Sequence, residues 1–165
     1  MMDQNSPILV LGVGNPLLTD DGVGVHAIAA LEKAYFFNPP VEIMDGGVQG
    51  LNLLGFITEA KHLIVIDAVR NGGAPGTLYR LAGEQIPRRV LQKNSLHQVG
   101  LLEALALASA LGDPPSTVIL GVEPLDITSI GLEPTPPVRK RIPELVDAVL
   151  AELKLLGCVP EARGE

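Results

Sequence analysis

Short apolar runs of strand length alternate along this chain with longer runs of helical spacing, and no other feature restricts the fold as much. "ILVLGV" at 8–13, "VEIMD" at 41–45 and "HLIVIDAV" at 62–69 read as buried strands. The first and third are almost continuously apolar, as strands covered on both faces are. "GTLYRLA" at 76–82 and "TVILGVE" at 117–123 read as two more. The first of these follows the "RNGGAPG" loop too closely for a crossover helix, so it is expected to run antiparallel to its neighbour.

The intervening segments have helical periodicity. Residues 22–35 put Val23, Ala27, Ala30, Leu31 and Ala34 on one face, and residues 50–59 form a shorter helix. Residues 97–111 are apolar on most sides, which predicts a largely covered helix. The last helix aligns Ile142, Leu145, Val146, Val149 and Leu153, with Pro143 in its first turn and Gly157 as its stop. The predicted architecture is an α/β three-layer fold. A twisted, mostly parallel five-stranded sheet with one antiparallel strand carries helices on both faces. The Pro-containing stretches "NPP", "GDPPS" and "EPTPP" lack a charged or polar linker, so residues 1–165 are expected to form a single domain.

Composition narrows the function. With 19 acidic and 12 basic side chains, the net charge of -7 argues against a nucleic-acid partner. The densest basic stretch, "VRKRIP" at 138–143, reads as a solvated helix start. Cys158 is the lone cysteine, so neither an intramolecular disulfide nor a cysteine-based metal cluster can form. No signal peptide is evident, and the richest apolar stretch, "VGLLEALALASALG", contains Glu103 and is too short to span a bilayer. No membrane insertion is expected, and the expected compartment is cytoplasmic.

In an open α/β sheet the ligand crevice lies beyond the carboxyl ends of the strands, where strand order reverses. If the order starts 2-1-3, the first and third strands are neighbours. Asp21, which opens the first helix, and Asp67, at the end of the third strand, then approach one another. Asp45 ends the second strand in "MDGGVQG", beside Gly46 and Gly47, which let backbone come close to a ligand. His97, in "NSLHQVGL", starts a helix after a long loop. Two carboxylates and an imidazole suit a borderline divalent metal such as nickel or zinc.

Each acid also has a plainer reading. Asp20 or Asp21 would serve as a helix cap. Asp67 would serve by bonding loop amides, although an acid in so apolar a strand pays desolvation unless paired or ligated. His97 would serve as a helix-start residue bonded to backbone. His26 is expected at the solvent face, and His62 at the strand end opposite the crevice. No H-E-x-x-H helix, G-x-S-x-G elbow or reactive-cysteine setting occurs, so hydrolysis would fall to carboxylates or a metal. Gly12, Gly14 and Asp45 imitate a dinucleotide fingerprint. It fails at Leu17, and Asp20 and Asp21 put negative charge where a pyrophosphate would need amides.

Taken together, "LGVGNPLLTDDGVGV", "VEIMDGGVQGLNLLGFI", "HLIVIDAV", "PGTLYRL" and "LHQVGL" resemble the nickel-iron hydrogenase maturation endopeptidases, from about residue 8 to the last helix. The resemblance implies an enzyme that removes a C-terminal extension from the hydrogenase large-subunit precursor after nickel insertion. It maps the family's metal-contacting acids and histidine onto Asp21, Asp67 and His97. Some members carry Glu at the position of Asp21. The implied partner is the nickel-loaded precursor, which supplies the nickel, and zinc could occupy the same site in vitro. Asp21 and Asp67 are the candidate catalytic pair, and Asp45, Gly46 and Gly47 the candidate substrate-binding turn. The alternative from another class is a nucleotide- or metal-binding regulatory module without peptidase activity.

Overall fold

A computed structural model describes residues 7–86 and 96–164, with the side chains of residues 50, 51 and 96–99 outside the description. The strands are β1 (Ile8–Val13), β2 (Tyr35–Asn38), β3 (Glu42–Gly47), β4 (His62–Ala68), β5 (Leu78–Ala82), β6 (Ser116–Val122) and β7 (Val159–Ala162). The helices are α1 (Val23–Ala34), α2 (Leu54–Glu59), α3 (Leu96–Leu111), α4 (Pro136–Arg139) and α5 (Ile142–Leu155), with 3-10 turns at Thr19–Gly22 and Gly50–Leu53.

Five strands form one sheet in the order β3-β1-β4-β6-β5. All neighbours are parallel except β5, which pairs antiparallel with β6 as its short connection predicts. The chain passes from β1 outward to β3 and then back across to β4 on the other side. Strand order therefore reverses between β1 and β4.

Alternate side chains of the central strands feed two separate cores, because successive residues of a strand face opposite ways. Ile8 and Val10 of β1 join Ile64 and Ile66 of β4 under α1 and α5, against Ala27, Leu31, Val149 and Leu153. Leu9 and Leu11 join Leu63 and Val65 under α2 and α3, against Ile57, Leu101 and Ala104. This two-sided cover is why those strands read as unbroken apolar runs.

Three expectations change. "VEIMD" belongs to an edge strand that is only half buried and extends through Gly47. The third helix is not largely covered: Leu101, Ala104 and Ala108 form one buried stripe while Leu107 and Leu111 face solvent. Finally, β2 and β7 form a separate antiparallel pair. Helix α1 gives way at Tyr35, where "YFF" brings residues that favour a strand, and the partner strand arrives from beyond Gly157. Arg163 lies over the Phe36 ring at 3.7 Å.

Candidate active site

The turn after β1 is built by close backbone approach. A Cβ on Gly24, in the first turn of α1, would meet the carbonyl oxygens of Ile66 at 2.2 Å and Val13 at 2.7 Å. Glycine at this position lets the start of α1 rest directly on the ends of β1 and β4. It takes the helix-packing role that the dinucleotide comparison sought, without success, at Leu17. Gly14, at φ +119°, lies so close to the Asp21 carbonyl that a Cβ would meet its oxygen at 1.8 Å. The 3-10 turn bearing Asp21 thus packs against β4, whose penultimate residue is Asp67.

Asp21 and Asp67 are both buried, 7% and 2% exposed. The switch point brings their elements together as the strand order predicts. Charged groups held this far from water cost free energy unless something charged or hydrogen-bonding meets them. The amide of Asn15 donates to Asp21 Oδ2 at 2.9 Å.

Asp20 and Asp21 divide their roles in a way the sequence left open. Asp20 does not cap a helix. Its fully buried carboxylate reaches across to the loop after β6, taking the amides of Leu125 and Asp126 at 2.8 and 2.9 Å and of Thr135 at 2.6 Å. The Thr135 hydroxyl donates to it as well, at 2.8 Å to Oδ2. Asp20 is therefore a tie between two loops. Beside it, Thr19 adopts φ +55° and donates its hydroxyl to the Ser129 carbonyl at 2.6 Å.

Asp45, Gly46 and Gly47 stand at the same edge, with Gly12 paired to Asp45 and Val13 to Gly47 across a bulge. The exposed Asp45 carboxylate takes the amide of Gly47 at 2.9 Å, and the Gly47 carbonyl takes the amide of Gly14 at 2.8 Å. Asp45 thus shapes its own turn, and the bond between Gly14 and Gly47 fastens that turn to the one that leads to Asp21. His97 lies in the first turn of α3, which packs against the 3-10 turn Gly50–Leu53, but its side chain is outside the description. Among the described residues, no three His, Cys, Asp or Glu side chains stand together as a metal-binding group. His26 differs from its expected solvent position: it is partly buried, and its Nε2 is buried with no hydrogen-bond partner among the described residues.

Sequence reasoning missed Glu123. Its buried carboxylate accepts the amides of Asn71 and Gly73 at 2.7 and 2.9 Å and the Tyr79 hydroxyl at 2.8 Å. Its backbone also pairs with Gly76 and Thr77. The glycine-rich loop at 70–76, suited by composition to movement, is instead clamped to the end of β6. The available signal was an acid terminating the apolar run "TVILGVE". Nearby, hydrogen bonds from Ser129 and Thr128 hold the Asp126 carboxyl down to about 2. Burial pushes the Cys158 thiol up, away from the reactive thiolate.

Comparison with known proteins agrees with this architecture. Residues 25–152 match the model of the hydrogenase maturation protease family. The chain is 42% identical over 153 residues to the hydrogenase 2 maturation protease of Escherichia coli, covering 91% of this chain and 92% of that protein. It is 39% identical over 164 residues to the hydrogenase expression/formation protein HupD of Thiocapsa roseopersicina, covering 98% of this chain and 74% of that relative. The solved structure of the hydrogenase maturating endopeptidase HybD from E. coli superposes with a TM-score of 0.90 at 39% identity, covering 94% of this chain and 97% of the other. With its mixed five-stranded sheet and the acids gathered at one edge, this chain belongs to the hydrogenase maturation protease family and is a hydrolase of the endopeptidase class.

Proposed function

We propose that this protein removes the C-terminal extension of a nickel-iron hydrogenase large-subunit precursor after nickel has been inserted, recognising that nickel through Asp21, Asp67 and His97. The observation that carries the reading is the burial of two carboxylates, Asp21 and Asp67, on elements that Gly24 draws together. Two carboxylates and an imidazole are suitable donors for a borderline divalent ion, and zinc would be accepted in vitro on the same grounds. The nickel belongs to the substrate, so its presence in the precursor licenses the cut. The turn of Asp45, Gly46 and Gly47 lines the approach and holds the substrate's terminal segment.

Two routes to hydrolysis fit these residues. The substrate's own metal polarises the scissile carbonyl or a water held by the acids. Alternatively, Asp21 and Asp67 share the work, one ionised and taking a proton from water, the other protonated and donating one. Among the described residues no helix is long and apolar enough to cross a membrane. We place the protein in the cytoplasm, where its single buried thiol stays reduced.

The test is the intact mass of a nickel-loaded large-subunit precursor before and after incubation with this protein, beside a nickel-free precursor. Loss of a C-terminal peptide from the loaded form alone is expected. Equal cleavage of both forms would remove nickel recognition from the account, and cleavage of neither, with several cognate precursors, would remove the proposed substrate.

A further inference from the structure

Large apolar side chains crowd the rim of this site although they belong to neither core. Leu17, Val48, Leu125, Ile130 and Leu132 are 55%, 59%, 56%, 88% and 70% exposed. They stand on the loops that follow β1, β3 and β6, and hydrogen bonds bring those loops together. The Gly131 amide donates to the Leu17 carbonyl at 2.9 Å, and the Thr19 amide to the Gly131 carbonyl at 3.0 Å. Ile130 and Leu132, on either side of Gly131, therefore flank the turn that carries Asp21. The Leu125 amide is held by Asp20, and Val48 follows the Gly47 that is fastened to Gly14.

This rim is held rather than loose. Asp20 ties the loop after β6 from beneath with a fully buried carboxylate, and Thr19 ties it at Ser129. Asp126 is the only charged residue between positions 124 and 132, and its carboxylate folds back along the loop onto the amides of Thr128 and Ser129 at 2.9 Å. The loop thus presents Leu125, Ile130 and Leu132 to solvent beside a carboxylate whose hydrogen bonds are met within the loop itself. Large apolar side chains left exposed on loops that are tied to one another mark a place that another chain covers.

Resting on the function proposed above, we propose that Leu17, Val48, Leu125, Ile130 and Leu132 form a docking rim for an apolar segment of the precursor polypeptide flanking the bond to be cut. Continuity selects this occupant over a second copy of the chain. An endopeptidase must touch its substrate on both sides of the scissile bond, and this rim begins in the same turn as Asp21. An extended apolar segment places alternate side chains on such a surface without any need for charge pairing.

The experiment compares wild type with the double variant Ile130→Ser and Leu132→Ser, both positions being so exposed that the fold does not depend on them. Binding of fluorescently labelled nickel-loaded precursor is titrated by anisotropy, and cleavage is followed by intact mass over a range of precursor concentrations. The dissociation constant and KM are expected to rise about tenfold, the effect of losing two modest apolar contacts, with kcat within about twofold. A control pair, Leu155→Ser at the last residue of α5 and Val159→Ser at the first of β7, removes comparably exposed apolar groups away from the rim and leaves both constants unchanged. An unchanged dissociation constant in the rim variant would overturn the proposal, as would failure of the wild type to bind. So would a wild-type dimer that the rim variant converts to monomer without weakening precursor binding, because the rim would then be covered by a second copy. Wild type that binds but does not cut, with binding weakened in the rim variant, would retain the rim and remove the cleavage reading instead.

Discussion

The two edges of the central sheet are built on opposite principles. At the carboxyl edge, or in the loops leaving it, stand Asp20, Asp21, Asp67 and Glu123, which are the buried charged side chains among the described residues. At the amino edge, β1 and β4 begin with Ile8 and the partly exposed His62, and the β2–β7 pair adds aromatic and apolar contacts. The amino edge is assembled as a core would be. The carboxyl edge accepts desolvated charge, which costs stability, and depends on close-packed glycine. The difference teaches that the acids must be sorted by what they hold. Asp20 and Glu123 each satisfy several loop donors and so build the edge, and Asp21 and Asp67 are the candidates for chemistry because the reversal of strand order puts them on adjoining elements.

That division can be broken experimentally. The largest effect expected is on activity: Asp67→Asn, which removes charge at nearly constant shape, should lower precursor processing by about a hundredfold or more on either hydrolytic route. Processing that survives this change would remove Asp67 from the site. Next comes Gly24→Ala, whose added methyl must push α1 away from the Ile66 and Val13 carbonyls. A loss of about 3 kcal/mol in urea unfolding is expected, and displacement of Asp21 should lower processing with it. A smaller cost, about 2 kcal/mol, is expected for Glu123→Ala, which strands the amides of Asn71 and Gly73. Because the loop at 70–76 would then be released, its amide hydrogens should exchange faster while those of β1 remain protected.

Much of this division was legible in the sequence, and for a local reason. Strand and helix periods are properties of a few neighbouring residues, so the five strands and the antiparallel β5 followed from pattern and loop length, while the reversal between β1 and β4 entered as a supposed 2-1-3 start that the sheet order bears out. Asp67 was legible because an acid interrupts an apolar run. The roles of Asp20 and Asp21 were not, because the two adjacent acids differ only in what folding brings to them. The partners of Asp20 lie 105 to 115 residues further along the chain. Glu123 and the β2–β7 pair were hidden in the same way, by partners distant in sequence. The third helix misled because its composition is apolar all round while its packing covers one stripe.

The most direct test sets the two neighbouring aspartates against each other, measuring urea unfolding and precursor processing for Asp20→Asn and Asp21→Asn. In Asp20→Asn the new amide group must face backbone donors, which should cost about 3 kcal/mol while the folded fraction continues to process. Asp21→Asn keeps an oxygen for the Asn15 amide, so its loss of stability should be smaller than that of Asp20→Asn while processing is lost. The reverse pattern, a destabilised but active Asp21→Asn beside a stable and inactive Asp20→Asn, would contradict the assignment of builder and reactive acid.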